Sequence, residues 1–164
     1  MEDLQKFVEV LEKEYHLYGT LLELSKKKMR IIADSDIAEL EKMVEMEEQF
    51  IFELKSLEDK REDLVSDFAR RYGISSKDVT VSYLILQAKG EIKAKLEQLQ
   101  DGLYGIIEEQ KQINQLNERL IKNNLDFINF SIGLITGRNQ AGSIYSKTGE
   151  TGVRQGRSLI DKKA

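Results

Sequence analysis

His16 is the only histidine in this 164-residue chain, and it is the first place to look for chemistry. A di-iron carboxylate bundle needs glutamates together with Glu-x-x-His pairs from two helices. Three residues before His16 stands Lys13, and there is no second histidine to complete such a set. Neither a metal centre nor a nucleophile–histidine–acid arrangement is expected there. The sequence has no cysteine, which excludes thiolate catalysis, disulfides and cysteine-ligated zinc or iron–sulfur clusters. Gly102 and Gly105 follow no strand, so they do not form a phosphate loop. Glutamates such as Glu45, Glu47 and Glu48 alternate with lysine and arginine at helical intervals, the pattern of a solvated helix face. The expected catalytic, cofactor and metal sets are therefore all empty, and the chain reads as a non-enzyme.

Binding is better represented. Asn117 and Asn124 occupy positions of a heptad seam where an apolar residue would add stability. One explanation is that they fix register or oligomeric state. The other is that this part of the seam is open and receives a second chain. Just beyond, Phe127, Ile128, Phe130, Ile132, Leu134 and Ile135 spread apolar surface around most of a helix. That surface is either covered by two neighbouring helices or presented to an amphipathic partner.

The elements that must carry these residues are long helices. There is no proline to force a kink, and 40% hydrophobic with 33% charged residues suits rods that each bury one stripe. Leu4, Val8, Leu11, Tyr15, Tyr18, Leu22, Ser25, Met29 and Ile32 step by four and three, interrupted only by Ser25, and predict a helix over about 2–33. Asp36 with Glu39 forms a capping box that opens a second helix over 37–72. Its stripe includes Ile51, Leu54, Arg61, Val65 and Phe68, and Gly73 supplies the left-handed stop. Residues 74–87 are ambiguous, because Val79, Val81, Tyr83 and Ile85 alternate as a strand does. A loop followed by a short helix is expected there. Ile92, Leu96, Leu99, Leu103, Ile106, Gln110, Ile113, Asn117, Leu120 and Asn124 predict a third long helix over 88–136, with Gly102 and Gly105 admitting a close approach or a bend.

The expected architecture is thus all-α. It is a coiled-coil-like, antiparallel up-down-up bundle of three long helices over 1–136, with no obvious cleft. A basic tail over 137–164, lacking any periodic stripe, is expected to be disordered. That tail holds six basic and two acidic residues, so it carries +4 against −8 for the body, within a net charge of −4. An acidic body repels nucleic acid, which is not an expected partner. The acidic opening Met1-Glu2-Asp3 and the lack of a long apolar run predict a cytoplasmic protein with no membrane insertion.

Several segments in order resemble the FlgN family of flagellar export chaperones. They begin with Leu17-Tyr18-Gly19-Thr20-Leu21-Leu22-Glu23-Leu24 followed by Lys26-Lys27-Lys28, and continue with the turn Asp34-Ser35-Asp36-Ile37-Ala38-Glu39-Leu40. The most specific is Ile113-Asn114-Gln115-Leu116-Asn117-Glu118-Arg119-Leu120-Ile121 running on to Leu125-Asp126-Phe127-Ile128. Ile144-Tyr145-Ser146-Lys147 and the closing Ser158-Leu159-Ile160-Asp161-Lys162-Lys163-Ala164 are similar to the endings of Gram-positive members. The stretch Val79–Leu86 departs from the pattern. The resemblance implies binding without catalysis. Its expected partners are the hook–filament junction proteins FlgK and FlgL, whose terminal helices aggregate when free, and the flagellar export gate. Asn117, Leu120, Asn124, Phe127, Phe130 and Leu134 are the expected partner-binding residues, with Tyr145, Leu159 and Ile160 in the tail. A structural coiled coil that only oligomerises is the competing expectation, and a homodimer stays open. Truncation after Gly137 should leave the far-ultraviolet helical signal nearly unchanged while weakening partner or gate binding. Loss of cooperative melting would instead make the tail part of the core.

Overall fold

The computed structural model describes residues 2–136. The expectations for the tail, including Tyr145, Leu159 and Ile160, lie outside the described residues. Four α-helices and one 3-10 turn account for nearly all of the described chain, and no strand occurs among these residues. They are α1 (Glu2–Ala33), α2 (Ile37–Tyr72), the 3-10 turn Ser76–Asp78, α3 (Val81–Gln87) and α4 (Gly90–Ile135). The fold is all-α, but the expected three-helix bundle becomes three long helices and a short fourth.

Local chemistry sets the helix ends. The Asp36 carboxylate accepts the Glu39 N–H at 3.0 Å and opens α2. Gly73, at φ 67°, closes it by donating its N–H to the Ala69 carbonyl. The strand-like alternation after Gly73 is decided by a cap. Thr80 accepts the Tyr83 N–H through its hydroxyl at 3.1 Å, which starts α3 and turns Leu84 and Ile85 inward together. Period two was a coincidence of Val79 and Val81 standing before and at this helix start.

Within residues up to Leu125, α1 is the central rod. It runs antiparallel to α2, as the pairs Asp3–Arg71, Phe7–Phe68, Glu14–Arg61 and Lys28–Glu47 show. It runs parallel to α4, through Glu12–Lys95, Gly19–Ile106, Ser25–Asn117 and Ile32–Asn124. The main apolar core gathers at one end, where Leu4, Phe7, Val8 and Leu11 of α1 meet Phe68 and Ala69 of α2, Leu84 and Ile85 of α3, and Leu96 and Leu99 of α4. There α3 lies between α2 and α4. Tyr83 meets the Phe68 ring edge-on, and the Ser82 hydroxyl accepts a 2.8 Å bond from Gln100. Residues from Asp126 to Ile135, which form the last turns of α4, belong to a separate compact unit and are described on their own below.

Gly102 is required by packing. A Cβ there would lie 2.6 Å from Cε2 of Tyr15, whereas one at Gly105 meets nothing within 4 Å. Gly105→Ala should therefore raise stability by up to about 1 kcal/mol through helix propensity. Gly102→Ala should lose that gain to displacement of the Tyr15 ring, a contrast readable from urea midpoints.

Candidate functional site

An open groove runs between α2 and α4 with α1 as its floor, and it encloses about 800 Å³. The cleftless bundle expected from the sequence is corrected here. α1 packs against each flanking helix, but away from α3 the flanks do not close over it. Leu11, Tyr18 and Leu21 come from α1, Ile51 and Leu54 from α2, and Leu103, Ile107 and Ile121 from α4. Ile51 is 57% exposed and Ile107 45%, so the walls are apolar side chains standing half in water.

Polar groups tie the floor to the walls. Glu14 of α1 is buried and takes a 3.1 Å bond from Nε of Arg61. Arg61 sits in the apolar stripe of α2 because it meets this carboxylate. The sequence signal was a charge at a seam position. Lys28 Nζ donates to both Glu47 carboxylate oxygens at 2.6 Å. Glu47 also accepts from Ser25 Oγ at 3.3 Å. The solvated face expected for the glutamates therefore holds for the exposed Glu45 and Glu48 and not for Glu47, which turns inward to this lysine. Gln110 Nε2 donates to Ser25 Oγ at 2.7 Å, and Asn117 Nδ2 to the Ser25 carbonyl at 3.0 Å. The seam breaks Gln110 and Asn117, two turns apart on α4, both bond to the seam break Ser25 of α1.

Asn117 is 3% exposed, and Asn124 is half-buried with its Nδ2 2.8 Å from the Ile32 carbonyl. Of the two explanations for these asparagines, the geometry supports the register tie, because both fasten α4 to α1. Leu120 is half-buried. On the separate last turns of α4, Phe127 is 71% exposed, Phe130 55% and Leu134 59%. Of the named site residues among those described, these three present open apolar surface. His16 lies exposed beside Lys13, Thr20 and Lys60, and no cluster of three metal-binding side chains occurs among the described residues. No described helix is long and apolar enough to cross a membrane.

A model of the FlgN family, described as FlgN protein, matches residues 1–152. The chain belongs to the FlgN family. This is a family of flagellar export chaperones whose partners are flagellar proteins, and it is not a family of enzymes. The chain is also similar to the uncharacterized protein YvyG of Bacillus subtilis (strain 168), at 29% identity over 128 residues covering 78% of each. No solved structure matches. In this FlgN-family chain the groove groups are mostly paired with one another, so the arrangement suits holding a surface rather than moving a proton.

Tyr18 reports on the groove. Burial pushes its phenol above the ordinary value near 10, and the Glu14 and Glu58 carboxylates push it the same way, while Arg61 opposes them. The neutral form is therefore favoured in the folded state. Stability falls as pH rises past the unfolded value near 10, where only the unfolded chain ionises this phenol. A 295 nm titration, taken as the difference between the native protein and Tyr18→Phe, should show ionisation above pH 10. Glu14→Gln should move that step down.

Proposed function

We propose that this FlgN-family chain is a cytoplasmic carrier for hook–filament junction proteins of the FlgK and FlgL type. It shields their terminal helices from aggregation and delivers them to the export gate. The observation that supports this is the end of α4. Six large apolar residues occupy the nine positions from Phe127 to Ile135, and each is about half exposed or more, Ile135 reaching 86%. Monomeric proteins seldom present such a run without a partner. A subunit helix awaiting polymerisation has the complementary need, an apolar face with nothing yet to pack on. Phe127, Phe130 and Leu134 are the proposed contacts, joined by Tyr145, Leu159 and Ile160 of the tail. Asn117 and Asn124 serve as the fasteners that hold α4 in place, and Leu120 packs beside them.

A structural coiled coil that oligomerises through the same surface is the second reading, since an exposed apolar helix end also suits self-association. Light scattering with and without a junction-protein C-terminal peptide separates the two. A one-to-one complex is expected; a stable homodimer that ignores the peptide would support the structural role.

Phe127→Asp should weaken peptide binding at least about tenfold while changing stability by no more than about 0.5 kcal/mol, as for other exposed positions. A large drop in melting temperature without a separate binding loss would return Phe127 to the ordinary core.

A further inference from the structure

The outer face of α2 plays no part in the carrier reading above, which rests on the end of α4. In the first half of α2, Ile37, Glu41, Val44, Glu45, Glu48 and Phe52 recur at helical steps and share one exposed face. The buried Met43 and the half-buried Glu47, Phe50 and Leu54 occupy the inward side. Three of the six outer residues are large and apolar, yet Phe52 is 77% exposed, Ile37 69% and Val44 42%. Single exposed apolar residues are ordinary, but three on one helix face make a stripe.

The other three are carboxylates. Between Ile37 and Leu54 stand six acidic residues and one lysine, so this half of the helix carries −5 (one minus six). Lys42 pairs with Glu39 at 3.1 Å, and Glu47 is held by Lys28. Glu41, Glu45 and Glu48 form no ion pair among the described residues. Glu41 and Glu45 are four residues apart, and Glu45 and Glu48 three, the spacings at which like charges repel along a helix.

One kind of occupant relieves both the apolar exposure and the repulsion, and the charge decides which. A second copy of the face would bring six unpaired carboxylates together. An anionic membrane or a nucleic acid would be repelled. A basic helix is complementary. Phe52 lines one shallow hollow with Glu45, Glu48, Gln49 and Glu53, which sets carboxylates beside an aromatic ring. A guanidinium can stack on such a ring and pair with its acidic neighbours at once.

We propose that this face of α2 docks a basic amphipathic helix of a partner protein, about 16 residues long by the rise per residue. Its apolar stripe covers Ile37, Val44 and Phe52, and its lysine or arginine residues pair with Glu41, Glu45 and Glu48.

The probes are two helix-forming peptides of about 16 residues with the same leucine stripe, one flanked by lysines and the other by glutamates. Titrated into the full chain by calorimetry, the lysine peptide should bind at least about tenfold tighter, as three exposed ion pairs would give. High salt should erase most of that preference. Phe52→Ser should weaken the lysine peptide about tenfold through lost apolar contact. Val44→Ser provides a second stripe variant if the first fails to fold. Glu45→Lys together with Glu48→Lys should reverse the choice, so that the glutamate peptide binds tighter. The same reversal at Glu62 and Asp63, exposed farther along α2, should leave the choice standing. Equal reversal by that second pair would make the preference a property of overall negative charge and overturn the proposal. No binding of the lysine peptide, or indifference to both stripe variants, would also overturn it. Loss of binding in Phe127→Asp would put the peptide on the end of α4, with the same consequence. Two further outcomes would give the face to another occupant and end the proposal. One is a native homodimer that Phe52→Ser dissociates, and the other is binding that appears only after Arg154→Gln with Arg157→Gln, which would assign the face to the chain's own tail.

Discussion

Everything distinctive in this molecule depends on how α4 is fastened alongside α1, a helix it parallels but reaches only after α2 and α3. The fastening is polar where a coiled coil is normally apolar. Asn117 and Asn124 each donate to a main-chain carbonyl of α1, at Ser25 and Ile32. Ile32 lies in the last turn of α1, and its carbonyl accepts the Ser35 N–H at 3.1 Å as well as the Asn124 amide. Both pairs are spaced by seven residues, so these bonds alone would tolerate a slip of one heptad. Gly102 removes the ambiguity. Shifting α4 by seven residues would bring Lys95 or Glu109 under the Tyr15 ring, where a glycine is needed for clearance. The asparagines set the spacing, and the glycine selects one register from the set.

Along most of its length α2 has α1 as its one packing partner among the described residues. At the α3 end this does not matter, because Leu84 and Ile85 fill the space and a compact core forms. Farther along, no described element fills it. Met43 is the only buried residue of α2 before Phe68, and Val44, Ile51 and Phe52 stand in water. The ion pairs Glu14–Arg61 and Lys28–Glu47 join α2 to α1 along the groove, replacing part of the apolar packing an ordinary bundle would use. Such half-buried pairs add specificity of placement more than net stability. The groove is the space between α2 and α4 where each is anchored to α1.

Much of this was legible in the sequence, and the parts that were not share a cause. Capping chemistry is local, so Asp36 and Gly73 marked the ends of α2 without reference to tertiary structure. Thr80 carries the same kind of signal, but the alternation from Val79 to Ile85 masked it. Seam positions were legible too, including the polar ones at Ser25, Gln110 and Asn117. Their meeting was not, because periodicity says which face of a helix is special and not which neighbour that face meets. The groove was missed for that reason. Arg61 in an apolar stripe was the available clue, since a charge at a seam position calls for a buried counter-charge, and Glu14 supplies it. The apolar end of α4 was visible as composition, and only the structure could show Phe127, Phe130 and Leu134 left in solvent.

The same pairing governs the two glutamates that turn into the groove. A general acid or base needs a titratable group free to exchange its proton with a substrate. Glu14 and Glu47 are each engaged with a cation. What the groove walls leave in solvent includes apolar side chains such as Ile51 and Ile107. Apolar surface of this kind holds by shape and forms no covalent bond with what it holds. A family that escorts other proteins needs reversible contact of this kind, because any bond the carrier made or broke would change the cargo.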